Sequence, residues 1–284
     1  MLNESILTEN VLEEIAFIRK TQAHLALDDF LHGLTKWRTW LILAYQDIKV
    51  RYRRSILGPF WITLSMAVTV YSMGFLYSRL FHVDVNHYFP YLVSGMVSWS
   101  LISSLIPELT ETFIVSGGLI KQITLPYTVH IHRVIARNYI IFFHNVLVII
   151  PIIFLFHEFA KVNLHTLGVF FGLFCVYLNA LLYGLALGML GARFRDVLPI
   201  VKSLITVIFF VTPVLWDPKI LSPKAQFFVM LNPFYSFIEI VRAPLIGQGV
   251  AWQYYAMVLF TTLLGVALCS ALFIKYRTRI VYWI

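Results

Sequence analysis

Few residues in this sequence are of a type and spacing that suit chemistry, and they are scattered. No G-x-x-x-x-G-K-[ST] stretch occurs, so the chain has no phosphate-cradling P-loop. Neither H-E-x-x-H nor C-x-x-C is present. Cys175 and Cys269 fall in apolar runs, where a thiol is a small packing group rather than a disulfide partner or metal ligand. His130 and His132 alternate beside Arg133 and read as part of a solvated basic loop, not a metal site. His144 lies in an apolar run and reads as a partner for a neighbouring helix. Glu108 and Glu111, just past Pro107, share a helical face and read as polar lining or cytoplasmic contacts rather than a proton relay. Glu239 and Arg242, three apart, fit one helical face as an ion pair. No apolar run carries the buried Asp, Glu or Lys pair of an ion-coupled pump. The chain therefore has no engine of its own, and active movement of a cargo requires energy from a partner.

The elements that must hold these residues are set by composition. Of 284 residues, 60% are hydrophobic and 13% charged, against about a quarter charged in soluble domains. That deficit puts the chain among all-α polytopic membrane proteins. The net charge of +8 does not point to nucleic acid, because the basic residues gather at the ends of apolar runs. Apolar lengths predict six spans, at about 57–81, 89–114, 138–156, 166–192, 197–216 and 251–274. The transmembrane domain is thus expected over 57–284. Residues 34–56 are expected to form an amphipathic helix lying on the bilayer surface. Trp37, Trp40, Arg51, Arg53 and Arg54 suit an interface. Gly58-Pro59 then breaks the chain at the first span. Residues 1–33 hold Glu4, Glu9, Glu13, Glu14, Asp28 and Asp29 and read as a solvated tail, not a signal peptide. Within them Leu12, Ile15, Ile18 and Arg19 fit a short helix.

Charge fixes the orientation. With both termini inside, near-side segments from residue 34 on hold Lys36, Arg38, Lys49, Arg51, Arg53, Arg54, Lys121, Arg133, Arg137, Arg193, Arg195, Lys275, Arg277 and Arg279. The far side holds Arg79, Lys161, Lys219, Lys224 and Arg242. The excess marks the near side as cytoplasmic. On the far side, Phe227–Leu231 and Phe234–Val241 are apolar runs too short to cross, separated by Asn232-Pro233. They read as re-entrant or interfacial helices.

Four stretches, taken in order, resemble the membrane-spanning subunit of polysaccharide-exporting ABC transporters. Asp47-Ile48-Lys49-Val50-Arg51-Tyr52-Arg53-Arg54-Ser55-Ile56-Leu57-Gly58-Pro59-Phe60-Trp61 is similar to that family's entry to the first span. Leu119-Ile120-Lys121-Gln122 with Leu125-Pro126 resembles its coupling-helix loop. Arg195-Asp196-Val197 resembles the end of its fourth span. Thr212-Pro213-Val214, Asn232-Pro233-Phe234, Glu239 and Arg242 resemble its periplasmic gate region. The resemblance runs from about residue 34 to the end. It is nearest to the O-antigen exporters, with capsule and teichoic-acid exporters as siblings.

The resemblance implies a homodimer in the bacterial inner membrane, joined to two ATP-binding cassette subunits that hold ATP and Mg. It implies no enzyme activity and no cofactor in this chain. Its cargo would be an undecaprenyl-linked polysaccharide such as the O-antigen of lipopolysaccharide. Gly118, Leu119, Ile120, Lys121, Leu125 and Pro126 would then contact the ATP-binding partner. Phe227, Phe228, Asn232, Pro233, Phe234, Tyr235, Glu239 and Arg242 would form the periplasmic gate. Aromatic rings stack on sugars, so Tyr71, Phe75, Tyr77, Trp99 and Phe113 are candidates for a channel wall. A drug or lipid exporter of the same plan predicts a large far-side domain or a less aromatic interior. A membrane glycosyltransferase needs a charged cluster at one face for phosphate and metal. Asp84, Glu158, Asp217 and Glu239 are too scattered to supply one.

Overall fold

Helices start where local signals start them in the computed structural model, which describes residues 22–80 and 82–284. The short helix expected around Leu12, Ile15, Ile18 and Arg19 lies outside those residues, as does Phe81 at the far end of the first expected span. The near-side helices are α1 (Gln22–Thr35) and α2 (Trp37–Arg51). A turn follows in which Arg54 and Gly58 have φ of 70° and 54°. Gly58 suits that left-handed conformation and redirects the chain into α3 (Phe60–Leu80). Asp84 caps α4 (Val85–Thr110), its Oδ1 accepting from the Asn86 amide at 3.1 Å. Two short helices, α5 (Thr112–Val115) and α6 (Gly117–Gln122), lead to α7 (Tyr127–Val146) and α8 (Ile149–Leu155). Then come α9 (Gly168–Arg193) and α10 (Val197–Val211). On the far side are α11 (Pro223–Met230) and α12 (Pro233–Leu245), each with Pro in its first turn. The chain finishes with α13 (Trp252–Tyr276) and α14 (Ile280–Trp283).

Among the described residues, five helical segments are long and apolar enough to cross a membrane by length and composition. The expected fifth span differs from them. Its helix, α10, has 15 residues, about 22 Å at 1.5 Å per residue, short of about 30 Å of hydrocarbon. The rest of that stretch, Thr212–Trp216, is not helical. The third span also differs in where it starts: the helix begins at Tyr127, not near residue 138. Arg133 and Arg137, which read from the sequence as loop charges, therefore lie on a helix. So do His130 and His132, which are fully buried rather than in a solvated loop.

The near side holds a further correction. Residues 22–35 are helical rather than a solvated tail, and Ala26, Asp29 and Gly33 form their buried face. On α2 the apolar residues divide between two environments. Trp37 and Leu41 are exposed, whereas Ala44 and Ile48 are buried. The buried side faces α7, where Trp40 stacks on His132 and Asp47 accepts from Arg133.

The core is centred on α9, which packs along α13, α4 and α12. Small residues allow the approach. A Cβ on Gly191 would lie 2.0 Å from the Thr110 carbonyl oxygen, and one on Gly172 would lie 2.3 Å from that of Ile240. The G-x-x-x-G pair serves the same contact, Gly184 meeting Leu109 and Gly188 meeting Phe113. By contrast α10 buries only Val201, leaving Ile200, Leu204, Val207, Phe210 and Val211 exposed. The outer face of α3 is similar, with Phe60, Trp61, Leu64, Val68 and Phe75 exposed.

Candidate functional site

The near-side site is built on an ion cluster joining three helices. Arg133 on α7 makes a two-pronged bond to Asp47 on α2, Nε to Oδ2 at 2.9 Å and Nη2 to Oδ1 at 2.5 Å. One turn on, Arg137 bridges two carboxylates, reaching Asp47 Oδ2 at 2.9 Å and Glu108 Oε2 of α4 at 2.7 Å. Asn138 Nδ2 donates to the same Glu108 oxygen at 2.6 Å. Arg51 lies 3.6 Å from Glu108 at the exposed rim. Paired forks of this kind fix relative orientation as well as adding attraction. Beside the cluster, the His132 ring stacks on Trp40 and Tyr177, and its Nδ1 lies 2.6 Å from the Tyr177 hydroxyl. No group of three or more metal-ligating side chains occurs among the described residues.

The segment expected to carry coupling runs from Gly118 to Pro126. Its first part belongs to α6, and the rest is the link to α7. Gly118 is exposed and open, and a Cβ added there would meet nothing within 4 Å. Leu119, Ile120, Leu125 and Pro126 are half-buried or more open, and Lys121 and Ile123 are exposed. The Lys121 amine donates to the Ile284 carbonyl at 2.6 Å, so α6 is seated on the last residues of the described chain. Of the residues expected to suit an interface, Trp37, Arg51, Arg53 and Arg54 are exposed, while Trp40 is half-buried.

The far-side site is a buried charge pair beside non-helical backbone. Arg242 is 2% exposed and pairs with Glu239 one turn earlier. Its guanidinium carbon sits 3.8 Å from the Tyr91 ring centroid, and its Nη1 donates to the Pro213 carbonyl at 3.2 Å. Non-helical backbone buried away from water, as at Thr212 and Val214, needs such donors. Tyr91 supplies more, its hydroxyl reaching the carbonyls of Pro213 (3.1 Å) and Trp216 (2.9 Å), and Tyr88 reaches Leu215 at 2.7 Å. Asn232 caps α12 through Phe234 N at 3.0 Å and donates to Thr212 Oγ1 at 2.9 Å. Thus Thr212–Trp216 is pinned by α4 and α12 together. A polar cavity of about 280 Å³ lies here, lined by His87, Tyr91, Asp217, Tyr235, Glu239 and Arg242 among others.

The two short helices expected on the far side form on either side of Asn232-Pro233 and differ in burial. α12 is buried within the protomer, with Tyr235 packed edge-on against Tyr254. α11 buries nothing and leaves Phe227 and Phe228 exposed. Half-buried Pro233 and Phe234 lie at the break between them.

The five aromatics named for a channel wall are not brought together. Phe113 is fully buried against Gly188 and Tyr127. Trp99 is buried against Phe209 and Phe234. Both pack within the protomer, Trp99 under α10 and α12 and Phe113 under α9 and α7. Tyr71 is half-buried and its hydroxyl donates to the Val148 carbonyl at 2.7 Å. Tyr77 is half-buried, and Phe75 alone of the five is exposed. Sequence reasoning did not single out Asp29, Tyr88, Tyr91 or Tyr254. For Tyr88 and Tyr91 a signal existed: two tyrosines three apart near a helix start, with unsatisfied backbone expected on the same side.

Known proteins of this plan are similar over most of the chain. Two proteins of Klebsiella pneumoniae, each named O-antigen export system permease protein RfbA, are 22% identical. One aligns over 243 residues and the other over 245, in each case 84% of this chain and 92% of the relative. A Myxococcus xanthus protein of the same name is 23% identical over 213 residues, 74% of this chain and 81% of the relative. Residues 38–246, from the first turn of α2 to just past α12, match the family described as ABC-2 type transporter, and the chain belongs to that family.

Proposed function

We propose that this chain is the membrane-spanning subunit of an exporter that carries an undecaprenyl-linked polysaccharide of the O-antigen type across the bacterial inner membrane. As a member of its family it acts with an ATP-binding subunit. The observation that carries the reading is the unbroken family match from residue 38 to 246, which takes in both the near-side cluster and the far-side charge pair. The names of the relatives supply the cargo class.

In this reading two copies of the chain join two ATP-binding subunits, and ATP and Mg are held by the latter. The unburied apolar faces of α10 and α3 support a second copy as neighbour. Both termini lie in the cytoplasm, in keeping with the near-side excess of Lys and Arg. This chain's own residues do no covalent chemistry. They bind, orient and gate.

The test is deletion of the chain in its native host, with complementation. Lipid-linked O-polysaccharide should accumulate inside the cell, and the long-chain lipopolysaccharide ladder should vanish from the surface. A ladder that persists while a capsule or another surface glycan is lost would reassign the cargo.

A further inference from the structure

The helix α1 has no role in the proposed function, yet it holds the most completely engaged carboxylate among the described residues. Asp29 is 3% exposed, and its side chain is wholly covered. Oδ2 accepts from the Tyr127 amide at 3.1 Å and from Arg277 Nε at 3.0 Å. Oδ1 accepts from the Thr128 amide at 3.1 Å, and Thr128 Oγ1 lies 2.9 Å from it. Tyr127 and Thr128 are the first two residues of α7. Their own N-cap is Pro126, which makes no side-chain cap. Asp29 therefore caps α7 from a distant helix and places a negative charge at its positive end.

The fit around the carboxylate is close. Gly33 follows on the same face of α1, and a Cβ there would lie 1.9 Å from Thr128 Oγ1. Arg277 follows the last residue of α13 and also sits 5.5 Å from the Tyr127 ring centroid. α1 itself packs on both α7 and α13. The coupling segment is thus held at two points. Within α6 Lys121 is bound by Ile284, and at the exit of the segment α7 is bound by Asp29, which also holds Arg277.

We propose that Asp29 is a positioning residue for energy coupling. It locks the exit of the coupling segment to α7 and to the end of α13, and α1 is the strut that joins them. Without this tie, the chain between α6 and α7 is a short non-helical link, Ile123–Pro126, able to bend under load. With it, displacement of α6 by the ATP-binding partner moves the third and last spans together. This inference rests on the reading of α6 as the partner's contact.

The test uses the full complex with its ATP-binding subunit in proteoliposomes supplied with lipid-linked glycan. The measured quantity is glycan exported per ATP hydrolysed, together with the thermal midpoint. Asp29→Asn and Arg277→Gln are expected to assemble and to hydrolyse ATP within about twofold of the parent. Export per ATP should fall about fivefold or more, the lower range of an ordinary coupling between sites. The double variant should lose little beyond Asp29→Asn, since both act through one contact. Should Asp29→Asn fail to assemble, Arg277→Gln decides, because it leaves the cap on α7 intact. Lowered thermal midpoints with export per ATP unchanged would make Asp29 a structural residue only and overturn the proposal. The double variant Ile120→Asp with Leu125→Asp separates the two readings. If it exports normally, the coupling role of α6 fails and the strut fails with it. If it uncouples export while Asp29→Asn and Arg277→Gln do not, the strut alone is refuted.

Discussion

Arg137 Nη2 lies 2.7 Å from Glu108 Oε2, tying the third span to the near end of the second. The pair is not isolated, since Arg137 also holds Asp47 and so anchors α2. The side chains of Arg137 and Glu108 are 15% and 21% exposed. Removing one member of such a pair leaves the other charge poorly solvated, at about 3–5 kcal/mol. Arg137→Met is therefore expected to lower the thermal midpoint of the purified protein sharply and to reduce its level in the membrane. Arg51, whose side chain is 45% exposed, reaches the same Glu108 at 3.6 Å. An exposed pair is worth about 0–1 kcal/mol, so Arg51→Met should leave the midpoint nearly unchanged. Thermal melts of both variants in one detergent check the contrast, and equal shifts would refute it.

A second expectation concerns the segment between α5 and α7. Ile120 and Leu125 are half-buried on a surface whose tip, Gly118, is open. A helix end presented to a partner transmits motion only if it packs tightly. Ile120→Asp with Leu125→Asp should uncouple glycan export from ATP hydrolysis while leaving the chain in the membrane. Export and ATPase rates, measured on the same proteoliposomes, give the answer.

Much of the bundle is legible in the sequence because apolar length is a local property. The spans at α3, α4, α9 and α13 follow from it within a few residues. The near-side architecture is not legible, for a reason of distance. Arg133 and Arg137 look like loop charges because their partner Asp47 lies 86 and 90 residues away. Asp29 looks like part of an acidic tail because its partners lie 98, 99 and 248 residues away. A charge's burial depends on what the fold brings to it, and no window of sequence contains that. The burial of Trp99 and Phe113 is hidden for the same reason, since Phe209 and Phe234 cover the one and Gly188 and Tyr127 the other. The break at Asn232-Pro233 is legible because backbone chemistry alone creates it.

Topology yields a labelling experiment, and the structure chooses the sites. Asn86 and Ser222 are exposed on the far side, and cysteines there should react with an impermeant thiol reagent from outside. Ser116 is a poor near-side reporter because it is 6% exposed and would stay silent on either side. Gly118 is exposed with open space around it. Gly118→Cys should therefore resist the reagent in intact cells and react after permeabilisation. Labelling of Gly118→Cys in intact cells would invert the orientation.

The last expectation concerns Arg242, whose burial is nearly complete while Lys224 on α11 stands exposed. Arg242 does three things at once. It neutralises Glu239, lies over the Tyr91 ring and donates to the Pro213 carbonyl. Arg242→Ala leaves the Glu239 carboxylate without its cation, in a place where its own side chain is 12% exposed. It also leaves the Pro213 carbonyl with the Tyr91 hydroxyl alone, at 3.1 Å. The expected cost is about 3–5 kcal/mol, enough to loosen Thr212–Trp216 from α12. Because that stretch completes the short α10, the loss should appear as impaired export or assembly. Lys224→Ala removes a solvated charge and should behave as the parent. Glu239→Gln combined with Arg242→Met removes both charges together, and should recover part of the stability that Arg242→Ala loses, since no unpaired ion remains. Export at matched membrane levels, with thermal midpoints of the same preparations, checks all three. If Arg242→Ala exports and melts like the parent, the pair is not what holds the far-side helices together.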